Sequence, residues 1–434
     1  MESPIHSSVH SSGKPNLDSR YRFFDAASTT KCCEEALETF RHYSQVEFAN
    51  PSSQHLAGRA ASSIIDKARA TFAQHFKVEP NQVIFTSGGT ESDNLAILGV
   101  VASVKSNKEA LKIFYSSTEH PAVTQCCASL KSDGLHAQPI DVDSRGQIVK
   151  AALDQAIASI VLDPTPLALF SIHHVNNITG ALIPIEFLAQ HIKSQIPSAV
   201  FHSDCVQSFC KTATPVSHKN QPIDLLSISG HKVHSPKGIG ALIVLNKDLL
   251  NSKPKSGQGL RLLPTSFGGG QEGGFRSGTQ SPALIAAFAE GMKYTFRNQQ
   301  QLFNTALTFN LEMRKFSQER KLGIHFNSGL ADSKLTKSEF IPHIINLSVP
   351  GFPGATIARL LEEKGFLVST GSACHSSETK PDPVLEAMKL KKDLTTSAIR
   401  VSIGDTLDSQ DFPPFLIALE EVIIRLRALK PGRR

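Results

Sequence analysis

Lys232 ends the stretch Ser227-Ile228-Ser229-Gly230-His231-Lys232, behind an alternating apolar run from Ile223 to Ser229 that reads as a short buried strand. A glycine-rich turn, Lys237-Gly238-Ile239-Gly240, follows, and a second apolar run, Ala241 to Leu245, leaves it. An amine at the exit of a buried strand is partly desolvated, which lowers its pKa and makes it nucleophilic. That is the requirement for a lysine that forms a Schiff base. A solvated turn lysine could carry the same local sequence, because lysines are mostly exposed. Other residues therefore have to decide.

Two upstream stretches do so. Val200-Phe201-His202-Ser203-Asp204-Cys205-Val206-Gln207-Ser208 starts as a strand and then offers a single carboxylate. Val83-Ile84-Phe85-Thr86-Ser87-Gly88-Gly89-Thr90-Glu91-Ser92 reads as a strand, a Gly-Gly turn and the opening of a helix. Free N–H groups at such a turn and helix start bind anions, phosphate above all. A phosphate cradle, a carboxylate and a lysine in this order suit pyridoxal 5′-phosphate. Its ring nitrogen must stay protonated beside a carboxylate if the ring is to accept electrons. A thiol, Cys374, stands apart from the other cysteines. It lies among small residues in Gly371-Ser372-Ala373-Cys374-His375-Ser376-Ser377, a loop from which a thiolate could act as a nucleophile.

The elements that must position these residues alternate. Strand patterns at Val83 to Phe85, Lys112 to Tyr115, Ala168 to Ile172, Ala199 to Phe201, Leu225 to Ile228 and Ala241 to Leu245 are separated by helical periodicity. Such βα units predict a mostly parallel sheet covered by helices, with ligands outside the carboxyl ends of the strands. Thr90, His120, Asn177, Asp204 and Lys232 all follow predicted strands. A helix is expected to contain Ala57 to Phe76, with its N-cap signal in Asn50-Pro51-Ser52-Ser53. Ala283 to Glu319 reads as one long helix with a break, and Asn251 to Pro264 as a loop. Beyond it come strands at Ile344 to Val349, Phe366 to Ser369 and Ser397 to Ser402, and a last helix from Phe412 to Leu429.

Taken together the motifs are similar to the cysteine desulfurase and selenocysteine lyase branch of the class V, fold-type I pyridoxal phosphate enzymes. The stretches that carry the resemblance include Asp25 to Thr30, Asn50 to Ser53, Thr86 to Asn94, Thr118-Glu119-His120, His174 to Asn177, Asp204 with Gln207, Ser229 to Gly240, Gly268 to Thr279, Gly371 to Cys374 and Ile399 to Gly404. They span nearly the whole chain. The resemblance implies an α/β fold: a large domain with a mostly parallel seven-stranded sheet between helices, and a smaller α+β C-terminal domain. It implies that Lys232 attaches the cofactor and removes the substrate's α-proton, that Asp204 faces the ring nitrogen, and that Gln207 reaches the ring hydroxyl or the nitrogen through which Lys232 is attached. Gly89, Thr90, Ser229 and His231 would hold the phosphate, and His120 would stack on the ring and move protons. Arg400 would clamp the substrate carboxylate with help from Asn177, as guanidinium binds carboxylate bidentately. Thr279 would reach the phosphate of a second subunit, which implies a homodimer. Cys374 would attack the sulfur of L-cysteine, release alanine and carry a persulfide to a sulfur-acceptor protein, as in iron–sulfur cluster assembly. The sequence departs from the family pattern at Ile178, where glutamate is usual, and at Val206, where a smaller residue faces the ring.

Composition bounds the rest. At 434 residues the chain suits two domains, expected at 21–290 and 291–434, with 1–20 a tail and the segment up to about residue 40 packing on the smaller domain. The net charge of +6 is spread over mixed charges, so there is no case for nucleic acid. No apolar run is long enough for a membrane span, and the first twenty residues resemble no targeting signal. The seven cysteines show no Cys-x-x-Cys pattern, so no metal site and no disulfide framework are expected, and a reducing, cytoplasmic setting fits. Four readings stay open at this point: a cysteine desulfurase, a lyase acting on L-selenocysteine with the same residues, another class V enzyme such as an aminotransferase, and a scaffold that lost turnover.

Overall fold

The strands alternate their side chains between two apolar layers, and this fixes the architecture. In the computed structural model, which describes residues 20–104, 111–161, 167–216, 221–251, 259–329, 339–370 and 381–429, the chain opens with β1 (Arg22–Phe23), α1 (Glu34–Gln45), α2 (Leu56–Phe76), β2 (Val83–Thr86), α3 (Gly89–Ala102), β3 (Leu111–Ser116) and α4 (Pro121–Ser132). It continues through β4 (His136–Ile140), α5 (Lys150–Val161), β5 (Leu167–Ser171), α6 (Ile185–Gln195), β6 (Val200–Asp204), β7 (Leu225–Ser229) and β8 (Gly240–Val244). These strands form one seven-stranded sheet in the order β2-β8-β7-β6-β5-β3-β4. β8 runs antiparallel to β2 and β7, and the remaining pairs are parallel. Phe85, Phe114, Phe170, Phe201 and Leu226 point to a core shared with α2, α5 and α6. Their neighbours Ile84, Ile113, Leu169, Val200 and Leu225 point to the opposite core, shared with α3 and α4. The period-two register of each strand thus feeds both faces, which explains why these runs are apolar throughout.

The chain then forms α7 (Pro282–Glu319), β9 (His325–Phe326), β10 (Ile344–Ser348), α8 (Gly354–Glu363), β11 (Phe366–Leu367), α9 (Pro383–Ala387), α10 (Lys392–Thr396), β12 (Ala398–Ser402) and α11 (Phe412–Ala428). β12, β10 and β9 make an antiparallel sheet, and β1 pairs in parallel with β11. A second core gathers around Ile345, Leu347, Ile399, Val401 and the apolar face of α11. Phe24 belongs to this core, with its ring 4.4 Å from that of Phe415.

Two local expectations are corrected. α7 has no break: its 38 residues form a single helix, about 57 Å long at the usual rise. Gly291, which could have signalled an interruption, instead lets α7 approach the loop after Lys232, since a Cβ there would collide with Ser235 and the Val233 carbonyl. The cap of α2 is His55, whose Nδ1 accepts from Gly58 N at 3.2 Å, not the upstream Asn-Pro-Ser-Ser. A strand unmarked in the sequence, β4, adds the edge of the large sheet; Gln138 and Pro139 interrupt its apolar pattern. Among the described residues no helix is long and apolar enough to cross a membrane, and no cluster of His, Cys, Asp or Glu could hold a metal.

Candidate active site

The parallel strands deliver their carboxyl ends to one rim of the sheet, and a cavity of about 430 Å³ opens there. Gly89 and Thr90 begin α3 just after β2, His120 caps α4 after β3, and Asn177 follows β5. Asp204 is the last residue of β6, and Lys232 lies in the turn behind β7. Arg400 comes from the other side, on β12. All of these residues line the cavity, with Gln207, Ser229 and His231. Thr279 does not; it is exposed on the glycine-rich loop outside it. Cys374 lies outside the described residues. The chain leaves toward it from Ser369, which lines the cavity and pairs with Arg400 through both backbone hydrogen bonds.

Lys232 is buried, 9% exposed, and its Nζ donates to Ala27 O and Ser28 O, each at 2.6 Å. Burial comes first, then the positive charges of Lys211 and Arg400, and together they push the amine down to about 7. An amine so placed is partly neutral at physiological pH and therefore nucleophilic and basic. The same cause, burial and then the charge of Lys232, takes His231 down to about 3. His120 is also held below the ordinary imidazole range by burial. Its Nδ1 accepts from Ala122 N at 3.1 Å, which fixes the tautomer with the proton on Nε2.

Arg400 is 4% exposed. Its Nη2 donates to Asp25 Oδ1 at 2.7 Å and its Nη1 to Asn177 O at 2.9 Å, while Nε is buried and has no hydrogen-bond partner among the described residues. A buried guanidinium with an unspent N–H is prepared for an anionic ligand. Asn177 thus assists Arg400 through its backbone carbonyl. Asp25, which sequence reasoning noted only as part of a matching stretch, proves to be the ion partner. Nothing in the local sequence signals that pairing, because the two residues are 375 positions apart.

The floor of the cavity holds further groups that sequence reasoning passed over. Asp93 is buried with Oδ1 3.5 Å from His202 Nε2, and burial together with the nearby Asp204 carboxylate raises its pKa well above the usual range. Glu119 accepts from His173 N at 2.6 Å, and burial raises its carboxyl as well. Asp204 Oδ1 accepts from Val206 N at 2.8 Å.

The two departures from the family pattern have physical settings. Val206 lines the cavity, and a Cβ on residue 89 would come within 2.6 Å of its Cγ2, so glycine is required there. Ile178 is buried among Val142, Val384, Leu385 and Met388, where a carboxylate would be desolvated without compensation.

The residues present fit a phosphorylated pyridine aldehyde. The α3 terminus has no side-chain cap, so its first N–H groups are open to an anion. Gly89 leaves room that any side chain would fill. Asp204, at the end of β6, lines the same cavity, and Lys232 provides a reactive amine.

Fold and site together place a buried amine, a carboxylate and a guanidinium in one cavity at the strand ends of a sheet-and-helix scaffold. The aminotransferase class-V family model matches residues 22–412, and the chain belongs to that family. It is 32% identical over 404 residues to the NifS/IcsS protein homolog of Lactobacillus delbrueckii subsp. bulgaricus, covering 92% of this chain and 96% of that protein. It is 31% identical over 415 residues to cysteine desulfurase IscS of Dictyoglomus turgidum, covering 95% and 97%. Among solved structures a NifS-like protein superposes with a TM-score of 0.79 at 27% identity, over 94% of this chain and all of that one.

Proposed function

We propose that this protein is a cysteine desulfurase: it takes sulfur from L-cysteine with the help of pyridoxal 5′-phosphate, releases L-alanine and leaves a persulfide on Cys374 for an acceptor protein. The observation that supports it most is the pairing, in one buried cavity, of an amine pushed down to about 7 with a guanidinium that keeps a free N–H. The desulfurase name of a relative that aligns over nearly its full length favours the same reaction.

In this reading Gly89, Thr90, Ser229 and His231 hold the phosphate, Asp204 faces the ring nitrogen, and Gln207 and His120 fix the ring. The cofactor supplies a sink for the electron pair released at the substrate's α-carbon. Arg400 binds the substrate carboxylate and sets the α-carbon near Lys232. Lys232 Nζ takes the α-proton, which a neutral amine can do near pH 7. The Cys374 thiolate forms a bond to the substrate sulfur as the carbon–sulfur bond breaks. The bonding pair stays with carbon, which gains a proton, so the products are alanine and one persulfide. His120, with its proton on Nε2, is the group that would return a proton on that side of the cavity.

We further propose a homodimer, a division of the chain near residue 290, and a cytoplasmic setting. Thr279 stands outside its own cavity, and exposed Phe48, Leu56 and Phe267 offer apolar surface for a second copy. The six described cysteines are all free thiols, in keeping with a reducing compartment.

Alanine and sulfide release from L-cysteine and L-selenocysteine, measured side by side, tests the reading. Turnover of L-cysteine to alanine with a persulfide on the protein supports it. Turnover of L-selenocysteine alone replaces it with a lyase, and turnover of neither overturns it.

A further inference from the structure

Behind the cavity floor lies a second, smaller chamber of about 20 Å³, room for a single water molecule. It lies between the rear of the Lys232 site and β10, and Lys211 reaches into it from the turn after β6. The stem of Lys211 is only partly covered, but its amine end is inside: Nζ donates to Gln207 Oε1 at 3.3 Å. No carboxylate lines this chamber among the described residues, and Lys211 has no ion pair there. The titratable groups facing it are Cys210, His234 and His343. Burial raises Cys210 to a neutral thiol and takes His343 down to about 3, so neither supplies a negative charge. Asp405 is 3.1 Å from His234 Nε2, behind that ring. A cation has therefore been placed beside the site with nothing opposite to neutralise it.

The hydrogen bonds show what it can do. Lysine offers donors only, so the group it meets on Gln207 must be the carbonyl oxygen. The amide nitrogen is thereby turned the other way, and Nε2 donates to Ala27 O at 2.8 Å. Ala27 O is the same atom that accepts from Lys232 Nζ. A chain of three contacts thus runs from Lys211 through Gln207 and Ala27 to Lys232. The groups facing Lys232 itself are balanced: Arg400 and Lys211 oppose its charge, Asp25 and Asp204 favour it, and His120 and His231 are held neutral by burial. Among the described residues Lys211 is the cation of this set without a carboxylate partner, since Arg400 is paired with Asp25.

We propose that Lys211 is a positioning residue for the Lys232 site: its ammonium orients the Gln207 amide toward Ala27 and Lys232, and its charge opposes a second charge on the Lys232 nitrogen. The inference rests on the reading of Lys232 as the lysine that binds the cofactor. Lys211 touches neither the cavity nor a substrate within it, so it acts through Gln207 and through its field. Burial above all, with the charge of Arg400 acting in the same sense, brings its own amine down to about 8, which leaves it charged at neutral pH.

The test is a pH titration of the visible absorbance band of the purified holoenzyme, in the wild type, Lys211→Met and Lys211→Arg. Removing a cation eases protonation of the Lys232 nitrogen, so the midpoint should rise by about one unit in Lys211→Met. Lys211→Arg keeps the charge and should stay near the wild-type midpoint. A melting curve for each variant checks that folding is intact; if Lys211→Met does not fold, Lys211→Gln takes its place in the titration. A role in packing alone would move the melting temperature and leave the midpoint in place. Equal midpoints in the wild type and the uncharged variant, with the band intact, overturn the proposal. A wild-type holoenzyme without any such band would instead overturn the assignment of Lys232, so the two failures are distinguishable.

Discussion

Arg400 Nη2 lies 2.7 Å from Asp25 Oδ1, and both side chains are largely buried, so the guanidinium that faces the cavity is already held by an internal carboxylate. Asp25 fixes the plane of the guanidinium, and Asn177 O fixes a second corner, while Nε is buried and has no hydrogen-bond partner among the described residues. Asp25 therefore acts as a brace for the group that binds the substrate carboxylate. In Asp25→Asn the charge is lost but the shape remains. We expect KM for L-cysteine to rise about tenfold, equivalent to about 1.4 kcal/mol, with kcat less affected. Steady-state kinetics check this, and an unchanged KM would show that Asp25 serves only to join two segments. In Arg400→Ala the cavity loses its clamp altogether, and binding of L-cysteine should become too weak to saturate.

The depressed Lys232 amine sets a pH dependence with a definite sign. Its folded pKa, about 7, is below the ordinary 10.5, so the neutral amine predominates above about 7 and protonation takes over as pH falls through that value. Uptake of pyridoxal 5′-phosphate by cofactor-stripped protein needs the neutral amine. Its rate should climb with pH and level off above about 7, whereas an ordinary lysine would leave it climbing until about 10.5. Stopped-flow absorbance measures the profile. The same linkage means that burying this lysine destabilises the empty protein below the unfolded pKa, most fully once pH is under about 7. Lys232→Ala should abolish the visible band, and a wild-type spectrum in that variant would remove Lys232 from the chemistry.

Cys374→Ala should separate the two halves of the reaction. Neither Lys232 nor Arg400 is touched, so L-cysteine should still perturb the cofactor spectrum and its α-deuterium should still exchange. Alanine formation and protein-bound persulfide should fall by about 10²-fold or more, about 2.7 kcal/mol of transition-state stabilisation. Selenol is more acidic and leaves more readily, so turnover of L-selenocysteine can survive. Loss of both substrates together would make the thiol necessary whichever chalcogen is removed, and undiminished cysteine turnover would exclude it as the nucleophile.

Sedimentation should report a dimer at assay concentrations. Arg69 pairs with Glu272 through two contacts of 2.7 and 2.8 Å, and Glu272 also accepts from Phe85 N, so the glycine-rich loop that ends at Thr279 is pinned to α2 and β2. Thr279→Ala should weaken cofactor affinity without changing the assembly state. An active monomer would be incompatible with a shared site.

Much of this arrangement could be read from local sequence. Lys232, Asp204 and the Gly88-Gly89 turn each sit at the end of an apolar run, and runs of that kind become strands whatever lies elsewhere in the chain. Their common position follows because parallel strands end on one edge. What could not be read was whatever depends on distant pairing. Asp25 stands out in the sequence only as part of a matching stretch, and its pairing with Arg400 depends on the bridge that sets it beside Ser402 at the end of β12. Lys211 carried no local mark, since nothing near it in sequence shows that its surroundings lack a carboxylate. β4 was hidden by Gln138 and Pro139, which an edge strand tolerates. The break expected in α7 is absent because the helix runs unbroken between two cores, which its N-terminal and C-terminal halves enter in turn.

The segment from Phe24 to Ala27 also has a consequence for how the protein is made. Phe24 packs on Phe366 and Phe415, Ala27 N donates to Ser402 Oγ at 2.9 Å, and Asp25 waits for Arg400. Phe24 and Asp25 thus find these partners only after residues about 340–390 positions downstream have been synthesised. At typical elongation rates of about 5–20 residues per second, the 375 positions between Asp25 and Arg400 correspond to about 20–75 seconds. During that interval the large sheet can form and Gln207, His231 and His234 can take up Ala27 O and the backbone of Thr30 and Cys33, but Phe24 and Asp25 still lack the partners that hold them from the other side. The carbonyls that hold Lys232 thus gain their support in two stages, and the pairing of Asp25 with Arg400 is the event that completes the site.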